Sequence, residues 1–270
     1  MGYRCETMGY RLLCLDAGFT LLSPRRTLAD ALSDVLVQDG HAVSEAEMRA
    51  AWEDADRWFW DEYQRPDNDT WSADSRIEEY WRTYHRGLLQ RLGLEAHREM
   101  LDRVLVSQFA AGSWELYSDV EPMLREVQAI GGVTIGIVSD WGSNLRGILS
   151  ELGLDSYLDF VLASGAVGVA KPNPAFYRMA LQEACVEASE AVIVCDSYRA
   201  DVRGAWSATM DAVWLHRREG MNITPADEPI PDDVLRISSL SEVPAIVRAG
   251  GRLPRGAGVA AHAAHAAPSA

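Results

Sequence analysis

Apolar residues fall in two rhythms along this chain, and the change between them divides it. Residues 11–15 form a short continuous apolar run that ends at Asp16, with Gly18 and Thr20 close behind. A run bounded by turn residues in this way predicts a buried strand feeding a tight loop. From about residue 24 to 112 the spacing is helical. Ser44 with Glu47 three residues on makes a capping-box pattern ahead of Met48, Trp52, Ala55 and Phe59. Residues 72–92 repeat the helical spacing through Ile77, Tyr80, Trp81, Tyr84 and Leu88, and Gly93 marks the stop. With 28–36 and 100–109, this stretch predicts four helices and no strand.

Beyond Gly112 the pattern alternates. Helices are expected at 120–130, 145–152, 175–184 and 202–209. Strands are expected at 133–138, ending in Ser139-Asp140, at 160–163, at 191–195, ending in Asp196, and at 212–215. Strands alternating with helices imply a parallel sheet covered on both faces. The expected fold class is therefore α/β: a Rossmann-like three-layer core, 10–23 with 113–248, interrupted by an all-helical insertion at 24–112. The Gly-, Ala- and Pro-rich stretch 250–270 lacks an apolar face and is expected to be a disordered tail. Its His262 and His265 are too few to propose as a metal site.

With 48% hydrophobic residues, the 270-residue chain can bury a proper core. A net charge of −15 argues against nucleic acid or an anionic membrane as partner, because both need a basic face. It does not argue against a phosphorylated small molecule, since a pocket is set by local charge. The four cysteines have neither CxxC nor metal-ligand spacing, and Cys14 and Cys195 sit in apolar runs, as reduced buried thiols do. No apolar run reaches the ~18 residues of a membrane span, and residues 1–10 lack the apolar core of a signal peptide. The expectation is a cytoplasmic monomer or homodimer.

Lys171 changes the picture, because it is the one lysine among 25 Lys and Arg residues. It lies in Gly168-Val169-Ala170-Lys171-Pro172-Asn173-Pro174, where a compact point charge stands beside a rigid turn. Asp16, Ser139 with Asp140, and Asp196 with Asp201 all follow strand ends, and Lys171 follows another strand. In an open parallel sheet these ends share one edge, where ligands bind. Several carboxylates gathered there repel one another unless a cation sits among them. Hard oxygen ligands with one lysine suit Mg²⁺ and a phosphate.

At these residues the chain resembles the haloacid dehalogenase-like hydrolases. Leu15-Asp16-Ala17-Gly18-Phe19-Thr20-Leu21-Leu22 resembles the family's first motif, D-x-D-G-T-L. Val138-Ser139-Asp140 is similar to the second and Lys171-Pro172 to the third, while Cys195-Asp196 through Asp201 resembles the fourth, G-D-x-x-x-x-D. The resemblance covers about residues 10–245, with the helical insertion as a C1-type cap. It implies Asp16 as nucleophile, an aspartyl-phosphate intermediate, and Mg²⁺ held by Asp16, the Gly18 carbonyl and Asp196 with support from Asp201. It further implies Thr20 and Ser139 as donors to phosphoryl oxygens and Lys171 as the neutralising charge. Asp140 and Trp141 are expected at the substrate mouth, and the cap aromatics are expected mostly to pack the helices together. The chain departs from the pattern at Gly18, where the phosphatases carry a leaving-group acid, and at Phe19, Asp140 and Cys195. A phosphatase for a small organic phosphate is the leading expectation. A non-catalytic or regulatory relative and a dehalogenase are the alternatives.

Overall fold

The computed structural model describes residues 9–63, 65, 69–217, 230–232 and 234–250. Cys5 and the stretch 251–270 lie outside the described residues. A four-residue strand, β1 (Leu12–Leu15), opens the core and leads to a short β2 (Leu22–Pro24). Four helices follow: α1 (Leu28–Gln38), α2 (Glu45–Tyr63), α3 (Asp74–Arg91) and α4 (Arg98–Phe109). Then come β3 (Trp114–Leu116), α5 (Val120–Ile130), β4 (Thr134–Ser139), α6 (Leu145–Glu151), β5 (Phe160–Ala163) and a one-turn α7 (Ser164–Val167). The chain continues through α8 (Pro174–Glu183), β6 (Ala191–Cys195), a π-helical turn at Tyr198–Val202, α9 (Arg203–Ser207), β7 (Asp211–Leu215), β8 (Arg236–Ile237) and α10 (Val243–Ala249).

Six strands form one sheet in the order β5-β4-β1-β6-β7-β8, with every neighbouring pair parallel. The first strand stands in the middle, so the order reverses there and a crevice opens at its carboxyl end. The side-chain alternation of β1 shows why both faces must be covered. Leu13 and Leu15 pack with α5, α6 and α10, whereas Leu12 and Cys14 pack with α8 and α9. Cys14 and Cys195 are buried free thiols, as their apolar settings implied, and Cys185 is exposed.

The four inserted helices build a third apolar cluster of their own around Leu32, Met48, Tyr84, Leu88 and Val104. The expected capping box is present: Ser44 N–H donates to Glu47 Oε2 at 2.9 Å, and Glu47 N–H donates back to Ser44 Oγ at 3.3 Å. A second box, Thr27 with Asp30, starts α1. The pairs β2 and β3, β8 and α10 were not expected from the pattern. β2 and β3 pair antiparallel, Leu22 opposite Leu116, and bring the two ends of the helical segment side by side. Asp74 at the start of α3 accepts from Ser143 N–H at 2.8 Å and Ser143 Oγ at 2.6 Å, tying that segment to the loop after β4. The helix expected at 202–209 is α9, shorter than expected and preceded by the π turn. Among the described residues, no helix is long and apolar enough to cross a membrane.

Candidate active site

Asp16 directly follows β1, and its N–H prolongs the ladder by donating to Val194 O at 3.0 Å. Asp196 occupies the equivalent place after β6, and Ser139 ends β4. Lys171 sits between α7 and α8, where Asn173 caps the helix by accepting from Ala175 N–H at 2.9 Å and Pro174 fills the first turn. Asp201 projects from the π turn, whose start is capped by Ser197 Oγ accepting from Ala200 N–H at 3.1 Å. Tyr177 of α8 donates to Ala200 O at 2.8 Å and so locks that turn against the Lys171 loop.

The Lys171 ammonium pairs with Asp16 Oδ1 and lies 2.5 Å from Asp201 Oδ1, and all three side chains are at most 9% exposed. The Lys171 N–H donates to Asp140 Oδ1 at 3.0 Å. Asp16 and Asp201 thus contact the ammonium directly, while Asp140 holds the Lys171 backbone and Asp196 lines the same cavity. Their electrostatics follow from burial and mutual repulsion. Burial pushes Asp140 and Asp201 up to about 7, with Lys171 pulling both the other way. Burial also raises Asp196 well above the carboxylate range, helped by Asp16 and Asp201. For Lys171 burial disfavours the charge, but Asp16 and Asp201 outweigh it and hold the ammonium above its ordinary value.

Asp16, Gly18, Ser139, Asp140, Lys171, Asp196 and Asp201 border one cavity, and Thr20 takes a different place. Thr20 was expected to face a phosphoryl group. It is fully buried, does not border the cavity, and donates its hydroxyl to Asp196 Oδ1 at 3.2 Å. Its carbonyl accepts from Arg217 Nη2 at 2.7 Å, and Arg217 is itself paired with Asp119 and laid over Tyr117. Thr20 thus belongs to the buttress that sets Asp196. The Gly18 carbonyl accepts from Thr20 N–H at 2.6 Å. Phe19 adopts φ 54°, in the left-handed region where glycine is the usual residue. Its N–H donates to Leu22 O at 2.8 Å.

Among the described residues, no three His, Cys, Asp or Glu side chains form a ready-made metal cage. A site using two carboxylates and a backbone carbonyl has fewer side-chain ligands than such a cage. Oxygen-only donors of this kind fit a hard divalent cation. Asp196 Oδ2 supports the fit: it is buried and has no hydrogen-bond partner, and a buried acceptor left so is costly.

Asp16, Gly18, Ser139, Asp140, Lys171, Asp196 and Asp201 line one end of a cavity of about 410 Å³. Trp141 lines it too, packed at 4.7 Å and 64° against Trp114 of β3. Of the aromatics expected mostly to pack the helices together, Trp58, Tyr80 and Tyr84 do so. Trp52, Phe59, Trp71 and Trp81 also border the cavity. The sequence reading missed Tyr63, Trp114 and Arg26. Tyr63 follows Phe59 by one helical turn, a spacing that placed it on the same face; Trp114 carried no comparable signal.

Comparison with known proteins places the chain in a family. The model of the haloacid dehalogenase-like hydrolase family matches residues 10–209. A Danio rerio protein, haloacid dehalogenase-like hydrolase domain-containing protein 3, is 30% identical over 87% of this chain and 95% of its own. A Thermus thermophilus phosphoserine phosphatase is 31% identical over 86% of this chain and 97% of its own. The fold is shared with an L-2-haloacid dehalogenase from Xanthobacter autotrophicus carrying covalently bound chloropropionic acid. That structure has a TM-score of 0.64 at 17% identity, over 88% of this chain and 98% of the other. By its family match and by relatives along most of its length, the chain belongs to the haloacid dehalogenase-like hydrolases.

Proposed function

We propose that the chain is a Mg²⁺-dependent phosphohydrolase that cleaves a small organic phosphate through an aspartyl-phosphate on Asp16. The observation that carries this reading is the buried ammonium of Lys171 between Asp16 and Asp201, beside the unpartnered Asp196 Oδ2 on the same cavity wall. The similarity to a phosphoserine phosphatase supports a phosphate ester as substrate class.

Lys171 keeps Asp16 paired and oriented, and attack by the Asp16 carboxylate on phosphorus transfers the phosphoryl group to it. Lys171 then faces the charge spread over the phosphoryl oxygens, where a fixed cation in a dry site acts most strongly. Ser139, at the end of β4, offers its hydroxyl to one of those oxygens. Asp140 holds the Lys171 loop through the backbone, and Thr20 holds Asp196. Held by Asp16, Asp196 and the Gly18 carbonyl, with Asp201 in support, Mg²⁺ would supply the further positive charge the transferring group needs. Retention of Asp196 and Asp201 favours phosphorus over carbon as the point of attack.

The test is phosphate release from a panel of phosphorylated metabolites, with Mg²⁺ and with EDTA, alongside halide release from 2-haloacids. The expected result is metal-dependent phosphate release that Asp16→Asn abolishes without loss of fold. Halide release alone, or metal binding with no turnover, would replace this reading with the dehalogenase or the regulatory one.

A further inference from the structure

Gly18 leaves the departing oxygen without a side-chain proton donor on the first loop. General acid catalysis is worth about 10²–10⁴-fold, so the chain favours an ester whose leaving group departs as a stable anion. A phenolic oxygen, with a pKa of about 10, meets that condition. An alkyl alcohol, close to bulk water at about 15.7, does not.

The cavity walls are matched to such a group. Nine aromatic side chains among the described residues line the cavity, including Phe59, Tyr63, Trp71 and Trp81 from the helical segment and Trp114 and Trp141 from the core. Phe59 and Tyr63 are stacked at 5.9 Å and 5°, and Trp71 meets Tyr63 edge-on at 6.2 Å and 75°. Trp81 and Trp141 are more than nine-tenths buried, yet neither indole N–H has an acceptor in the protein. Trp71 and Trp114, half-buried, also have indole N–H groups without an acceptor.

Charge on the lining points the same way. Its cations among the described residues are Lys171, held by Asp16 and Asp201, and Arg26, which pairs with both oxygens of Asp34. A leaving group carrying a carboxylate or a second phosphate therefore meets no uncommitted cation there.

We propose that the substrate is the phosphate monoester of an aromatic hydroxyl, a flat ring bearing no anionic group; this rests on the phosphohydrolase reading above. The Asp16 carboxylate forms the new P–O bond as the ester P–O bond breaks, and the aryl oxide leaves with the bonding pair. Water then attacks phosphorus, the Asp16–phosphorus bond breaks, and one proton of that water ends on the aryl oxide. The sum is ester plus water giving phenol plus inorganic phosphate.

Phenyl, benzyl and cyclohexylmethyl phosphate and phosphoserine, given with Mg²⁺ to the full chain, separate the parts of this proposal. Phenyl and benzyl phosphate should show comparable KM, with kcat for phenyl higher by at least about 100-fold, the lower bound of a general acid's contribution. Cyclohexylmethyl phosphate and phosphoserine should both bind more weakly than benzyl phosphate. Trp71→Leu should raise KM for phenyl phosphate by about threefold to tenfold, the strength of one ring–ring contact. Trp71→Phe, which keeps a ring, should restore most of that loss. Equal turnover of all four esters, or preference for phosphoserine, would overturn the aromatic assignment and leave the phosphohydrolase reading standing. Phosphate release from none of the four would overturn the aromatic assignment, and the metabolite panel above would then decide the phosphohydrolase reading.

Discussion

Replacing Lys171 by Met keeps the length and apolar stem of the side chain and removes its charge. The 2.5 Å separation from Asp201 Oδ1 corresponds to a gross attraction of about 6–7 kcal/mol at an effective dielectric of ~20. Desolvation of the ammonium offsets part of this, and breaking a buried pair from one side costs about 3–5 kcal/mol net, because the partner carboxylates stay buried. For a chain of this size that is a fall of roughly 6–20 °C in melting temperature. The folded pKa of Lys171 lies above its ordinary value, so the ammonium's contribution is complete below about pH 10. The loss should therefore show throughout the neutral range. Lys171→Arg keeps the charge but forces a wider planar head into a side-chain site only 2% exposed, at about 1–3 kcal/mol for overpacking. Both variants should lose most of their phosphate release, since a fixed group at the developing charge is worth about 10²–10³-fold in kcat. The assay is thermal melting in EDTA beside initial rates with Mg²⁺. A Met variant as stable as the parent would show that Lys171 does not offset these carboxylates. An Arg variant with near-normal rates would show that a point charge is not required.

Asp140, raised to about 7, is protonated in the folded chain between about pH 4 and 7, where the unfolded chain has released that proton. Its contribution to stability thus falls as pH rises through that window. Asp140→Asn should melt near the parent at pH 4 and above it at pH 8 in EDTA, and a variant that melts lower at pH 8 would refute this. Gly18→Asp should fold, because a Cβ there meets only the Trp141 ring, at 3.4 Å from Cζ3 and 4.0 Å from Cε3, both ordinary contacts. It should raise kcat on benzyl phosphate more than on phenyl phosphate, and an equal change in both would dismiss the missing acid as the limitation. Gly136→Ala in β4 would place a Cβ 2.1 Å from the Phe160 ring and should destabilise by about 1–3 kcal/mol in urea melts. Phe160→Leu should recover part of that loss, and additive losses in the double variant would show that the two positions do not meet.

The core was legible in the chain because its strands are continuous apolar runs and its helices have whole turns of apolar spacing. The 191–195 run became β6 with every residue buried, and the Ser44–Glu47 pattern became a formed capping box. The short pieces were not legible. β2 and β3 have three residues each and β8 two, too few to show a period, and they exist because neighbouring strands supply their hydrogen bonds. The partner that Thr20 takes here was not legible for a related reason. A hydroxyl after a strand has several acceptors within reach, and the Arg217–Asp119 pair, about 200 and 100 residues further along the chain, sets the loop so that Asp196 receives it.

By itself the sequence determined which residues end the strands and therefore which could share an edge: Asp16, Ser139, Lys171 and Asp196. Parallel strands joined by right-handed crossovers leave little freedom over that edge. Tertiary structure alone decided how those groups divide one positive charge. Lys171 lies between Asp16 and Asp201 because Tyr177 of α8 locks the π turn carrying Asp201 against the loop that carries the lysine. It also decided that the aromatic helices wall a cavity as well as filling their own core. The face of α2 that carries Phe59 and Tyr63 meets Trp71 and Trp81 there, opposite Trp114 and Trp141 of the core. Helical spacing shows that a face is apolar; only the packing of that face against distant elements shows whether it closes on protein or leaves room for a ligand.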